Sequence, residues 1–126
     1  MKMRRPHFVP LSAQVVDLFQ QIKPITGHYP YIFIGRNNRN KPISKESINQ
    51  VFELLGYKGR ATGYGFRHTM STILHEEVFD NAWIETQLAH VDKNSIRGVY
   101  NHAQYMDGRN RMLQFYADQL YPRKSY

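Results

Sequence analysis

Apolar residues in this chain return at helical spacing in segment after segment, and most segments carry their own start or stop signal. Ser12 is expected to cap a first helix carrying Val15, Val16, Leu18, Phe19 and Ile22, which Pro24 should stop. Ser44 is expected to cap a second, with Ile48, Val51, Phe52 and Leu55 on one face and Gly56 as its end. A third should begin near Phe66 and bury Phe66, Met70, Ile73 and Leu74. Asn81 or Asp80 would cap a fourth, turning Trp83, Ile84 and Leu88 inward. Asn94 would cap a short fifth, with Ile96, Val99, Tyr100 and Ala103 on one side. The last helix should run from Gln104 to Leu120, with Met112, Phe115, Tyr116 and Leu120 apolar. So many helical periods leave little chain for a sheet. Two extended pieces are expected: proline-bounded Pro6–Leu11, and Tyr29 to Ile34, which reads as a short buried segment of strand character. The expected fold is mainly α, a helical bundle with a minor short β element.

At 126 residues the chain suits one domain, residues 1–126, and no composition shift marks an internal linker. Its formal net charge of +7 should draw it to polyanions, nucleic acid among them. The absence of cysteine excludes disulfides and thiolate metal sites, and fits a reducing, cytoplasmic setting. No apolar run approaches the roughly 18 residues of a membrane span, and the basic start at Met1–Pro6 has no apolar stretch after it.

Chemistry concentrates between Gly63 and Tyr100, where an arginine, a histidine and a tyrosine each sit in a short helix-like segment with few carboxylates. Arg67 is expected in the first turn of its helix, just after Gly63 and Gly65, where helix N–H groups and a guanidinium fork would both suit phosphate oxygens. Pairing with Glu46 or Glu53 is the plainer reading. His90 could hydrogen-bond a phosphate or hold a proton near neutral pH, or simply cap a helix end. Tyr100 shares a stripe with Ile96, Val99 and Ala103 and could be core. As a nucleophile, its phenol, which titrates near pH ~10, would need positive charge or a base beside it. Arg67 and His90 are the candidates to supply that. The remaining histidines show no metal-ligand spacing, so no metal site is expected. Two basic turns, one carrying Arg36, Arg39 and Lys41 and one carrying Lys58 and Arg60, are either solvated connections or phosphate contacts.

Tyr64-Gly-Phe-Arg67-His-Thr, then Gln87-Leu-Ala-His90, then Val99-Tyr100-Asn-His-Ala resembles the C-terminal catalytic domain of the tyrosine recombinases, in the phage and prophage integrase branch. The resemblance runs nearly end to end, because Arg5–Ser12 resembles the segment after that family's hairpin lysine. It implies that Tyr100 attacks a scissile phosphate to give a 3′-phosphotyrosine and a free 5′-hydroxyl, with no metal or other cofactor. It further implies that Arg67 and His90 bind the phosphate oxygens and that Lys2 protonates the leaving oxygen. The partners implied are double-stranded DNA and further protomers, reached through the C-terminal helix in trans unless that helix folds back; a membrane is not among them.

Two departures qualify the resemblance. Tyr64 stands where the family usually has histidine, and a phenol is a poor base at neutral pH. The family's first catalytic arginine lies upstream of the lysine hairpin, outside this sequence, which therefore reads as a fragment, inactive or weakly active alone. The alternative is a basic helical DNA-binding module that keeps the fold without the chemistry.

Overall fold

The computed structural model describes residues 7–89 and 105–122. Among these, five helices form: α1 (Ala13–Thr26), α2 (Ser47–Leu54), α3 (Gly63–Glu76), α4 (Asn81–Gln87) and α5 (Met106–Leu120). None is long and apolar enough to cross a membrane. The expected mainly α class holds, and its β element shrinks to one antiparallel bridge between Ile34 and Pro42. The fifth helix expected after Asn94 lies outside the described residues.

The chain divides into two compact units, residues 13–69 and a second built from residues 1–12 with 70–126, the boundary falling inside α3. In the second unit a small core joins three helical segments. Leu74 of α3, Ile84 and Leu88 at α4, and Met112 of α5 are buried, and Met70, Phe79, Trp83 and Tyr116 pack around them. Each such side chain contributes about 1.5–3 kcal/mol when fully buried. Asp80 caps α4 as expected, its Oδ1 accepting the Ala82 N–H at 2.8 Å. The Phe79 and Phe115 rings meet with centroids 5.2 Å apart, adding an aromatic contact between the α3–α4 corner and α5. α5 thus folds back on α4 of its own chain, with buried Gly108 against the Trp83 indole.

The α3–α4 corner is a tight cap. Val78 takes a left-handed φ of 60°, so that its N–H reaches the His75 carbonyl and the Phe79 N–H reaches that of Leu74. The His75 ring spans the same corner. Its Nδ1 is 2.7 Å from the Ser71 carbonyl and its Nε2 is 3.0 Å from Asn81 Oδ1. These two acceptors stabilise the imidazolium and, helped by Glu85, raise the His75 pKa above its ordinary value.

In the first unit several local expectations give way. Pro24 does not stop α1: the helix continues to Thr26. Proline removes one N–H from the ladder, a loss tolerated so close to the helix end, and the buried Thr26 hydroxyl then donates to the Ile32 carbonyl at 2.8 Å. Tyr31, Ile32 and Phe33 are exposed, so the middle of the segment is not buried, and beyond the single bridge at Ile34 it forms no strand; Phe33 has an edge contact with Phe19. Ser44 forms a turn that accepts the Ser47 N–H, and α2 starts after Glu46 without a side-chain cap. Gly56 ends that helix as expected, at φ 88°. Its apolar stripe stays mostly uncovered, with Ile48, Val51 and Leu55 exposed and Phe52 set against Phe66 at 5.3 Å.

Candidate active site

α3 begins three residues earlier than its apolar stripe suggests. Thr62 caps it, its Oγ1 accepting the Gly65 N–H at 2.9 Å, while Asn49 Oδ1 reaches across from α2 to the Gly63 N–H at 3.0 Å. The Phe66 N–H bonds the Thr62 carbonyl. Two consequences follow for phosphate chemistry. Arg67 lies in the second turn of α3, not the first, and the N–H groups of Gly63, Gly65 and Phe66 already have acceptors. The helix end is therefore not an open anion cradle, and the guanidinium would have to do the binding.

Tyr64 and Arg67 are three residues apart on α3 and so lie on one face, one turn from each other. Both are exposed, Tyr64 to 81%. A phenol and a guanidinium are both groups that can donate hydrogen bonds to an anion. Phe66, expected in the buried stripe, is also more than half exposed despite its ring contact with Phe52.

The first basic turn is well built. The Gly35 N–H donates to the Lys41 carbonyl at 2.7 Å, the Ile43 N–H to the Phe33 carbonyl, and the Asn40 N–H to Asn38 Oδ1. The closed loop presents Arg36, Arg39 and Lys41 to solvent, with Arg39 Nη1 donating to the Tyr29 hydroxyl at 3.2 Å. The second turn follows Gly56, with the Arg60 N–H bonded to the Tyr57 carbonyl and both Lys58 and Arg60 exposed. All five cations belong to the first unit, as do Tyr64 and Arg67. Lys2, His90 and Tyr100 lie outside the described residues.

Arg109 is the residue that periodicity overlooked. It is 1% exposed and is the largest fully buried side chain among the described residues. Its Nε and Nη2 donate to Gln87 Oε1 at 3.2 and 2.9 Å, and Nη2 donates to the Phe8 carbonyl at 2.7 Å. Nη1 lies 3.6 Å from Met106 Sδ. Burial lowers its pKa, yet a guanidinium remains charged at any physiological pH. The signal was present in the spacing: residues 105, 108, 109, 112 and 116 form one helical stripe, and a cation inside it marks a buried, hydrogen-bonded charge.

The whole motif series lies inside a family match. Residues 1–106 match the phage integrase family, and the chain belongs to it. It is 46% identical over 121 residues to the prophage integrase IntS of Escherichia coli K12 and 45% identical to the integrase of Shigella phage Sf6, covering 95% of this chain in each case. A third relative, the prophage integrase IntZ of Escherichia coli K12, is 49% identical over the same length. The chain spans 31%, 31% and 30% of these three proteins respectively. No solved structure matches it.

Proposed function

We propose that this chain supplies the strand-cleaving part of a site-specific tyrosine recombinase, which integrates or excises a mobile element in the cytoplasm. Support comes chiefly from one observation: residues 1–106 match the phage integrase family, and they include Arg67, His90 and Tyr100 in the order of the motif series that resembles the tyrosine recombinases. The Tyr100 phenol oxygen attacks the scissile phosphorus, its O–P bond forms, and the bond from phosphorus to the 5′-oxygen breaks. Lys2 gives that oxygen a proton. Arg67 and His90 hold the non-bridging oxygens, where charge builds in the transition state and preorganised donors count most. Tyr64, a turn before Arg67 on α3, donates a further hydrogen bond to the phosphate, and the phenolic proton of Tyr100 passes to the His90 imidazole. Religation to a second 5′-hydroxyl reverses each step.

Double-stranded DNA is the substrate, and the two basic turns of the first unit contact its backbone through Arg36, Arg39, Lys41, Lys58 and Arg60. Other protomers of the recombinase assemble on the same DNA. Leu120 and Tyr121, exposed at the end of α5, offer one surface for that contact.

A nicked suicide substrate tests the chemistry, because cleavage releases a short strand that cannot religate and the covalent adduct accumulates. The full natural chain should form a protein–DNA adduct that Tyr100→Phe abolishes while DNA affinity is kept. An adduct that survives this change, or maps to Tyr105 or Tyr116, refutes the assignment. Tyr116 in particular is half-buried beside the core, and burial raises its pKa, the wrong direction for a nucleophile.

A further inference from the structure

We infer that Arg109 is a positioning residue for strand cleavage, holding in register the three chain segments that lead to Lys2, His90 and Tyr100. The inference rests on the recombinase reading for its chemical consequence, and on geometry for the rest. Phe8, whose carbonyl Arg109 binds, is six residues after Lys2. Gln87, whose side chain takes two of its N–H groups, is three residues before His90 and ends α4. Arg109 itself sits in the first turns of α5, nine residues after Tyr100. One buried guanidinium therefore joins the exit of one catalytic segment, the entrance of the second and the exit of the third.

A second tie runs beside it. The His7 ring nitrogen Nε2 lies 3.3 Å from the Gln87 carbonyl, so the N-terminal segment meets the end of α4 directly at the Gln87 backbone, and through Arg109 at the Gln87 side chain. The next turn holds Ala89 in the left-handed region at φ 57°, its N–H on the Thr86 carbonyl. That conformation is unfavourable for a non-glycine residue and is kept only where the surroundings enforce it. Fixing Gln87 is one way to enforce it, immediately before His90.

The chemistry of Arg109 favours positioning over plain stabilisation. Its acceptors among the described residues are neutral: an amide oxygen, a backbone carbonyl and a thioether. A buried charge with no opposite charge recovers little of its desolvation cost, and well-packed apolar groups often stabilise as well as or better than buried charges. What an apolar side chain cannot do is fix two acceptors on two segments at set angles, which a planar fork does.

The test compares Arg109→Met, Gln87→Leu, Gln87→Glu and the Arg109→Met/Gln87→Leu double variant in the full natural chain, with thermal unfolding and DNA affinity measured alongside. Single-turnover adduct formation at saturating suicide substrate should fall at least tenfold in Arg109→Met and in Gln87→Leu, at DNA affinity within twofold of wild type. The double variant should lose no more than the worse single one, since the two residues act as a unit. Gln87→Glu keeps the acceptor oxygen and should keep the rate. Hydrogen exchange should quicken at residues 86–89 and 105–108 in both lossy variants, with the α5 core around Met112 still protected. If Arg109→Met fails to fold, the Gln87 pair carries the comparison.

Unchanged cleavage, losses that multiply, or loss that merely follows lowered melting temperature would overturn the inference, as would unaltered exchange at those two stretches. Absence of any adduct in the wild type, or an adduct insensitive to Tyr100→Phe, refutes the recombinase reading instead; the exchange comparison then still decides whether Arg109 orders these segments.

Discussion

Replacing Gly108 by alanine sets two effects of opposite sign against each other at one atom. Gly108 lies in α5, where alanine is normally better than glycine by about 0.8–1.0 kcal/mol. Here, however, an added Cβ would come within 3.0 Å of three indole carbons of Trp83, 2.8 Å from Cδ2 and closer still to Cε2 and Cζ2. Carbon atoms prefer about 3.5–4.0 Å, so a rigid fused ring or the helix itself must move by about 1 Å. Overpacking of this kind typically costs about 1–3 kcal/mol, and three close contacts on an inflexible ring place it at the upper end. The net expectation is destabilisation by about 2 kcal/mol, the clash of about 3 less the helix gain of about 1. Equilibrium denaturation followed by far-UV circular dichroism measures it, and Trp83, the one tryptophan in the sequence, reports the same site by fluorescence. In a Trp83→Leu background the ring is gone and Gly108→Ala should turn neutral or stabilising. Stabilisation by about 1 kcal/mol in the wild-type background would show that the indole does not press on the helix, and the close packing of α5 on α4 would have to be abandoned.

Other perturbations probe other links. Val78 is 86% exposed at φ 60°, so Val78→Gly relieves a left-handed β-branched residue without losing packing and should stabilise the chain by about 0.5–1 kcal/mol in denaturant melts; destabilisation would mean the corner depends on the side chain. Because the folded His75 pKa is raised, its contribution is fully present below the ordinary value of 6.5 and is lost as pH rises through the raised one. The stability difference between wild type and His75→Gln should therefore shrink as pH rises from below 6.5 through the raised value, and a difference that holds or grows would contradict the two-acceptor clip. If Arg36, Arg39 and Lys41 contact phosphates, replacing all three by alanine should flatten the log–log salt dependence of DNA binding by about 3, and an unchanged slope would make that loop a solvated connection.

How far sequence alone reached follows from which forces act over short range. The helices were legible because apolar spacing is local, and so was the Asp80 cap, which needs only the residue two places on. The start of α3 was misread because its first turn holds no apolar stripe. What fixes it is Thr62 from within and Asn49 from 14 residues away, and only the first of these leaves a trace in spacing. The Tyr29–Ile34 segment shows the opposite failure: composition promised burial, but Tyr31, Ile32 and Phe33 find little to pack against, and a hairpin-like loop closes around polar Arg36–Lys41 instead. The motif residues Tyr64 and Arg67 could be placed on one helical face from their numbers alone, since a separation of three fixes that much. Arg109 could not. Its partners Phe8 and Gln87 are 101 and 22 residues away, and residue type alone does not separate it from the exposed Arg111 two places on, which instead lies over the Trp83 ring at 5.8 Å. Charge on an apolar stripe was the available warning, and it bears more on the proposed chemistry than the stripe does. A core of Leu74, Ile84, Leu88 and Met112 sets how firmly α4 and α5 adhere, whereas the Arg109 fork ties α5 to Phe8 and to Gln87 at the end of α4, and the inferred positioning role rests on those ties.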